Sequence, residues 1–64
     1  MKYTYDAKTD GLYISLRSGK YDKTKKITDS LLVDVSRDGK VLAIEILEAS
    51  KNIEKFNPKS IPTL

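Results

Sequence analysis

The side chains in this sequence able to move a proton or hold a cation are nine carboxylates and four tyrosines, with neither histidine nor cysteine present. Without imidazole there is no ordinary neutral-pH base, no Ser-His-Asp or Cys-His arrangement and no usual ligand set for zinc. The glycines Gly11, Gly19 and Gly39 lie far apart at turns, so no glycine loop is available to cradle a phosphate. Two carboxylate pairs remain. Asp34 and Glu45 would point outward on adjacent strands joined at Asp38-Gly39, where as cross-strand neighbours they could chelate Mg²⁺ or share a proton. Asp6 and Asp10 flank a loop that could meet Ca²⁺, but it lacks the carboxylate count and spacing of a calcium loop. Exposed acids are usually solvated or paired with Lys or Arg, and acids in turns usually bond backbone N–H groups. The expectation is a chain that is not an enzyme and carries no cofactor or metal.

The remaining chemical feature is cationic. Lys20, Lys23, Lys25 and Lys26 surround Tyr21, a combination able to neutralise phosphates and stack on bases. Asp22 interrupts it, and in a strand Lys23 and Lys25 would face away from Lys26. The net charge is only +3, carried by seven cations and four acids in residues 1–32 against five of each in residues 33–64. An edge strand whose lysines oppose aggregation accounts for the same residues and is preferred. Nucleic-acid binding is the alternative.

The elements that must position these groups follow from period-two patterning. Leu12, Ile14 and Leu16 alternate with Tyr13, Ser15 and Arg17, and Leu31, Val33 and Val35 alternate with Asp34 and Ser36. Leu42, Ile44 and Ile46 share one face of a third strand, with Val41, Ala43, Glu45 and Leu47 on the other. Gly39, with Asp38 beside it, marks a hairpin turn between the last two strands. Tyr3 to Tyr5 reads as a short strand before a loop ending at Asp10-Gly11, and Ser18-Gly19-Lys20 as a tight turn into an edge strand from Tyr21 to Ile27. Tyr3, Tyr5 and Tyr13 would form a cross-strand cluster. Ser50 is placed as the cap of a two-turn helix from Lys51 to Asn57-Pro58, with Ile53 and Phe56 on one face. So short a helix must dock to persist, and Val41, Ala43 and Leu47 are the surface expected to receive it.

The predicted fold is mainly β, an α+β antiparallel β-meander of about five strands with a short C-terminal helix. Residues 1–57 form a single domain and residues 58–64 an extended tail whose Ile61 and Leu64 could dock on a neighbour. A chain of 64 residues buries only about 60% of its unfolded surface, and without cysteine or histidine the usual staples are closed to it. Self-association is the remaining common route, so a homodimer is expected, with Val41, Leu47, Ile53 and Phe56 as dimer or partner contacts. No apolar run approaches a membrane span or a signal peptide, so the expected setting is cytoplasmic, with no membrane.

Three blocks carry a family likeness: Tyr5-Asp6-Ala7-Lys8-Thr9-Asp10-Gly11-Leu12-Tyr13-Ile14, Leu32-Val33-Asp34-Val35-Ser36-Arg37-Asp38-Gly39-Lys40-Val41, and Ala43-Ile44-Glu45-Ile46-Leu47-Glu48-Ala49-Ser50. Over about residues 3–53 the chain resembles the small prokaryotic and phage proteins grouped as Domain of Unknown Function 2283. It departs from them at Ala43, where the family usually has Gly, and Lys20 to Thr28 falls where the family varies most. The resemblance implies a small β-rich fold with a C-terminal helix and no established activity. It also implies an antitoxin-like or other partner-binding role, so the expected function is a non-catalytic interaction module, for which a small protein such as a toxin is a candidate partner. Asp10, Asp34, Asp38, Gly39, Glu45 and Ser50 have structural explanations as turn, hairpin and cap residues, so the pattern marks no catalytic centre.

Overall fold

Alternating side chains become strands where each strand finds a partner with the same apolar face, and a computed structural model describes residues 1–61 in these terms. The strands are β1 (Lys2–Asp6), β2 (Gly11–Ser15), β3 (Tyr21–Thr28), β4 (Leu31–Ser36) and β5 (Val41–Ile46). They form one antiparallel sheet in the order β1-β2-β5-β4-β3. A short helix α1 (Ala49–Asn52) and a 3₁₀ turn (Pro58–Ser60) follow. The mainly β architecture expected from the sequence is therefore present: five antiparallel strands and a short C-terminal helix.

Connectivity departs from a simple meander. β2 pairs with β5 rather than β3, through Leu12–Ile46 and Ile14–Ile44. Ser18-Gly19-Lys20 is accordingly not a hairpin turn but part of a strap crossing the ends of β5 and β4 to the far edge. The backbone N–H groups of Leu16 and Arg17 both donate to the Leu42 carbonyl at 2.8 and 3.2 Å. The strap passes so close to Leu42 that a Cβ at position 19 would sit 2.8 Å from Leu42 Cδ2, so any other residue there would require the Leu42 side chain to shift. Apolar alternation reveals which strands share a core but not which are neighbours, and Leu12, Ile14, Ile44 and Ile46 fit either order.

Registers sort the side chains into two faces, because directly paired residues point the same way. One face carries Tyr5, Leu12, Ile14, Ile44, Ile46, Leu31 and Val33. The other carries Thr4, Tyr13, Glu45, Leu32, Ala43, Asp34 and Thr24. At the β4–β5 turn Gly39 has φ 85, a conformation natural to glycine. The Ser36 N–H donates to the Lys40 carbonyl at 2.9 Å, closing that turn.

The C-terminal segment corrects three expectations. First, Glu48 (φ 48) turns the chain sharply after β5, and it lands on the face of Leu12 and Ile46 rather than that of Val41 and Ala43. Ile53 and Phe56 pack there against Tyr5, Leu12 and Ala49. Both are half-buried there within their own chain. Second, Ser50 does not cap the helix. It lies inside α1, which runs only from Ala49 to Asn52, and Glu48 at the N-cap makes no side-chain bond. Third, the tail is not extended from residue 58: Asn57 caps the 3₁₀ turn through Lys59 N–H at 3.2 Å, and Ile61 packs on the core. Residues 62–64, with Leu64, lie outside the described residues.

Candidate functional site

Among the described residues Asp10 is the most connected acid. It adopts φ 55 at the end of the β1–β2 loop, turning its carboxylate toward α1. Tyr5 Oη donates to Oδ1 at 2.6 Å and Ser50 Oγ to Oδ2 at 2.6 Å, while the Ser50 N–H lies 3.2 and 3.3 Å from the two oxygens. The Asp10 carbonyl also accepts from the Ala49 N–H at 2.8 Å. Asp10 thus serves α1 as an N-terminal cap supplied from forty residues away, the role assigned by sequence to Ser50. Donation by Ser50, then by Tyr5, holds the Asp10 carboxyl below the usual carboxylate range. The same bond raises the Tyr5 phenol, with burial adding to it. All three groups are consumed in tying loop to helix, so this is a structural clamp. The expected tyrosine cluster is absent for a related reason: Tyr5 instead meets Phe56 edge-on with centroids 5.1 Å apart, and Tyr13 lies on the opposite face.

On that opposite face Asp34 and Glu45 are not direct cross-strand partners. Asp34 sits beside Ala43, and Glu45 between Tyr13 and Leu32. Asp34 accepts from Thr24 Oγ1 at 2.7 Å and from Tyr13 Oη at 3.2 Å, and Thr24 is hydrogen-bonded to Tyr21 at 2.8 Å. The Tyr13 ring must span β5 to reach Asp34, and the small Ala43 beside Asp34, only 2% exposed, leaves it room. Burial, then the Asp34 bond, raises the Tyr13 phenol. Asp34 therefore holds three strands together. Among the described residues no three carboxylates gather as a metal site.

The lysines named by sequence do not form one groove. Lys23 and Lys25 pair with Val35 and Val33 and share their face, whereas Lys26 pairs with Leu32 on the polar face and bridges Asp29 at 3.3 Å. Tyr21 is 59% exposed but turned toward Thr24. Lys20 belongs elsewhere, in a cleft with Arg17, Arg37 and Lys40. Sequence reading missed these three because they are scattered along the chain; their common signal is proximity to turns. Asp38 lies in the same cleft, accepting a hydrogen bond from Ser36, and that donor, aided by the nearby Arg17, holds its carboxyl low.

The C-terminal segment packs on only part of the apolar face. The C-terminal segment packs over Tyr5, Leu12, Ile14 and Ile46, while Leu31, Val33 and Ile44 continue the same face half-buried. At the edge Ile27 is 56% exposed at a bulge in β3, whereas Val41, on the other face at the start of β5, is 39% exposed.

Residues 2–50 match the family described as "Protein of unknown function (DUF2283)". The chain belongs to this family. It is also similar to the Uncharacterized protein MJ0789 of Methanocaldococcus jannaschii, with 37% identity over 59 residues covering 89% of this chain and 50% of the relative. The chain thus spans about half the length of the curated relative it matches. No solved structure matches it. For this DUF2283 chain the family blocks coincide with the parts that build the sheet: Asp10 in the clamp, Asp34 in the cross-strand bonds and Gly39 in the turn. Among the described residues no helix is long and apolar enough to cross a membrane.

Proposed function

We propose that this chain is a non-catalytic binding module whose contact surface is the β3–β4 half of its apolar face, and that its partner is a protein presenting apolar groups with an acidic rim. The observation carrying this reading is the incomplete cover: Leu31, Val33 and Ile44 share the core face but lie outside the cluster packed by the C-terminal segment. Lys23 and Lys25 line the same side along an edge strand that is exposed throughout, and no acid pairs with them among the described residues. An apolar patch beside unpaired cations favours a complementary acidic surface. A second copy, the homodimer expected from sequence, would bring the same lysines to the same rim. The toxin-neutralising role implied by the family resemblance is one form of this function. Nucleic acid is less well served, since the lysines divide between two faces.

The test is affinity capture on the purified chain followed by identification and reconstitution of the captured protein. Binding should weaken with salt and fall at least tenfold in Ile27→Asp and in the double variant Lys23→Glu, Lys25→Glu. Equal binding by both variants, capture of nucleic acid alone, or a sedimentation mass of two copies lost in Ile27→Asp would refute the reading.

A further inference from the structure

The net charge of the chain is concentrated between residues 17 and 40, which hold seven cations and four acids, whereas the remainder holds five of each. The fold gathers part of that excess at one end of the sheet. The strap from β2 to β3 runs against the β4–β5 turn, and between them lies an open cleft of about 350 Å³ whose lining includes Arg17, Lys20, Arg37, Lys40 and Leu42. This volume falls within the roughly 300–1,000 Å³ usual for small-molecule sites. None of the four cations forms an ion pair among the described residues. Asp38 is the single acid in the lining and is already engaged by the Ser36 hydroxyl.

We propose that this cleft binds a phosphate-bearing anion. Two guanidinium groups offer the planar fork that matches phosphate oxygens, and two ammonium groups add charge suited to a multiply ionised ligand. Among the described residues the successive N–H groups of Ser18, Gly19 and Lys20 donate to no protein acceptor. Backbone N–H groups are common donors to phosphate oxygens. The approach of strap to turn is fixed by Gly19 against Leu42 and by the Arg37 N–H donating to the Lys20 carbonyl at 3.3 Å. The cleft is separate from the apolar surface of the preceding section, and the two assignments stand or fall independently. The phosphate could belong to a free phosphorylated metabolite or to a polynucleotide backbone.

Pyrophosphate titrated into the full chain at constant ionic strength, followed by calorimetry and amide NMR, tests the site. The expected result is one saturable site with shifts centred on Ser18 to Lys20 and Arg37 to Lys40. Arg17→Gln and Arg37→Gln should each weaken binding at least tenfold with unchanged folded spectra, whereas Lys51→Gln leaves it intact. A thymidine oligonucleotide of about eight residues forms the second arm. Displacement of pyrophosphate by it, at the same amides, assigns the phosphate to a polynucleotide; binding of pyrophosphate alone assigns it to a small molecule. Non-saturating titration, shifts spread equally over Lys23 to Lys26, or wild-type affinity in both arginine variants would overturn the proposal.

Discussion

Truncating Phe56 to alanine should expose how much of this domain depends on its C-terminal segment. The ring is partly buried against the core cluster and meets Tyr5 at 5.1 Å with planes inclined at 62°. Full burial of such a side chain contributes roughly 1.5–3 kcal/mol, so a ring mostly but not fully covered contributes about 1–2 kcal/mol. The aromatic pair adds about 0.5–1 kcal/mol. The loss is therefore about 2 kcal/mol, a large share of the roughly 3–5 kcal/mol that a core this small supplies. For a chain of 64 residues the unfolding entropy is roughly 0.13 kcal/mol/K near 60 °C, which converts the loss into a Tm lower by about 15 °C. Circular dichroism melts at matched concentration measure it. Phe56→Leu, retaining most of the apolar contact, should lose about a third as much. A shift below about 4 °C in Phe56→Ala would mean the segment does not dock and would refute the account of how Tyr5 and Leu12 are covered.

Stability should also respond to pH on both sides of neutrality. The folded Asp10 carboxyl is held low by Ser50 and then Tyr5, so its contribution is present above the unfolded carboxylate value of about 4 and is lost as pH falls through the lower folded value. Asp38 adds to this acid limb with the same sign, through Ser36. Tyr5 is raised, so its contribution is complete below about pH 10 and disappears as pH rises through the higher folded value. Melts across pH should show a plateau between these limits; an acid limb just as steep in Asp10→Asn would contradict the clamp. In a separate ultraviolet titration, Asp34→Asn should bring the Tyr13 phenol partway back toward its ordinary value, the remainder being the effect of burial. An unchanged Tyr13 titration would remove the cross-strand bond from the account.

The strands were legible in the sequence because period-two alternation is a local property: Leu12-Ile14-Leu16 and Leu31-Val33-Val35 each need a buried face whatever their neighbours. Gly39 was legible for the same reason, since a hairpin turn is settled within a few residues. The cap on α1 was not, because Ser50 has the right side chain at a plausible helix start but the better acceptor, Asp10, arrives from the far end of the chain. The landing face of Ile53 and Phe56 was equally hidden, since β5 is apolar on both sides and the choice rests on the turn at Glu48 and on Asp10.

By itself, the sequence determined that these residues include no imidazole and no thiol and that the backbone would fold as antiparallel strands, since residue types and nearest-neighbour patterns suffice for both. Only the tertiary structure decided that β2 lies beside β5, that the lysines divide between faces, and that Arg17, Lys20, Arg37 and Lys40 meet in one cleft. These depend on pairings between residues distant in the chain. Several such pairings satisfy the same hydrophobic pattern, so local alternation alone does not choose among them.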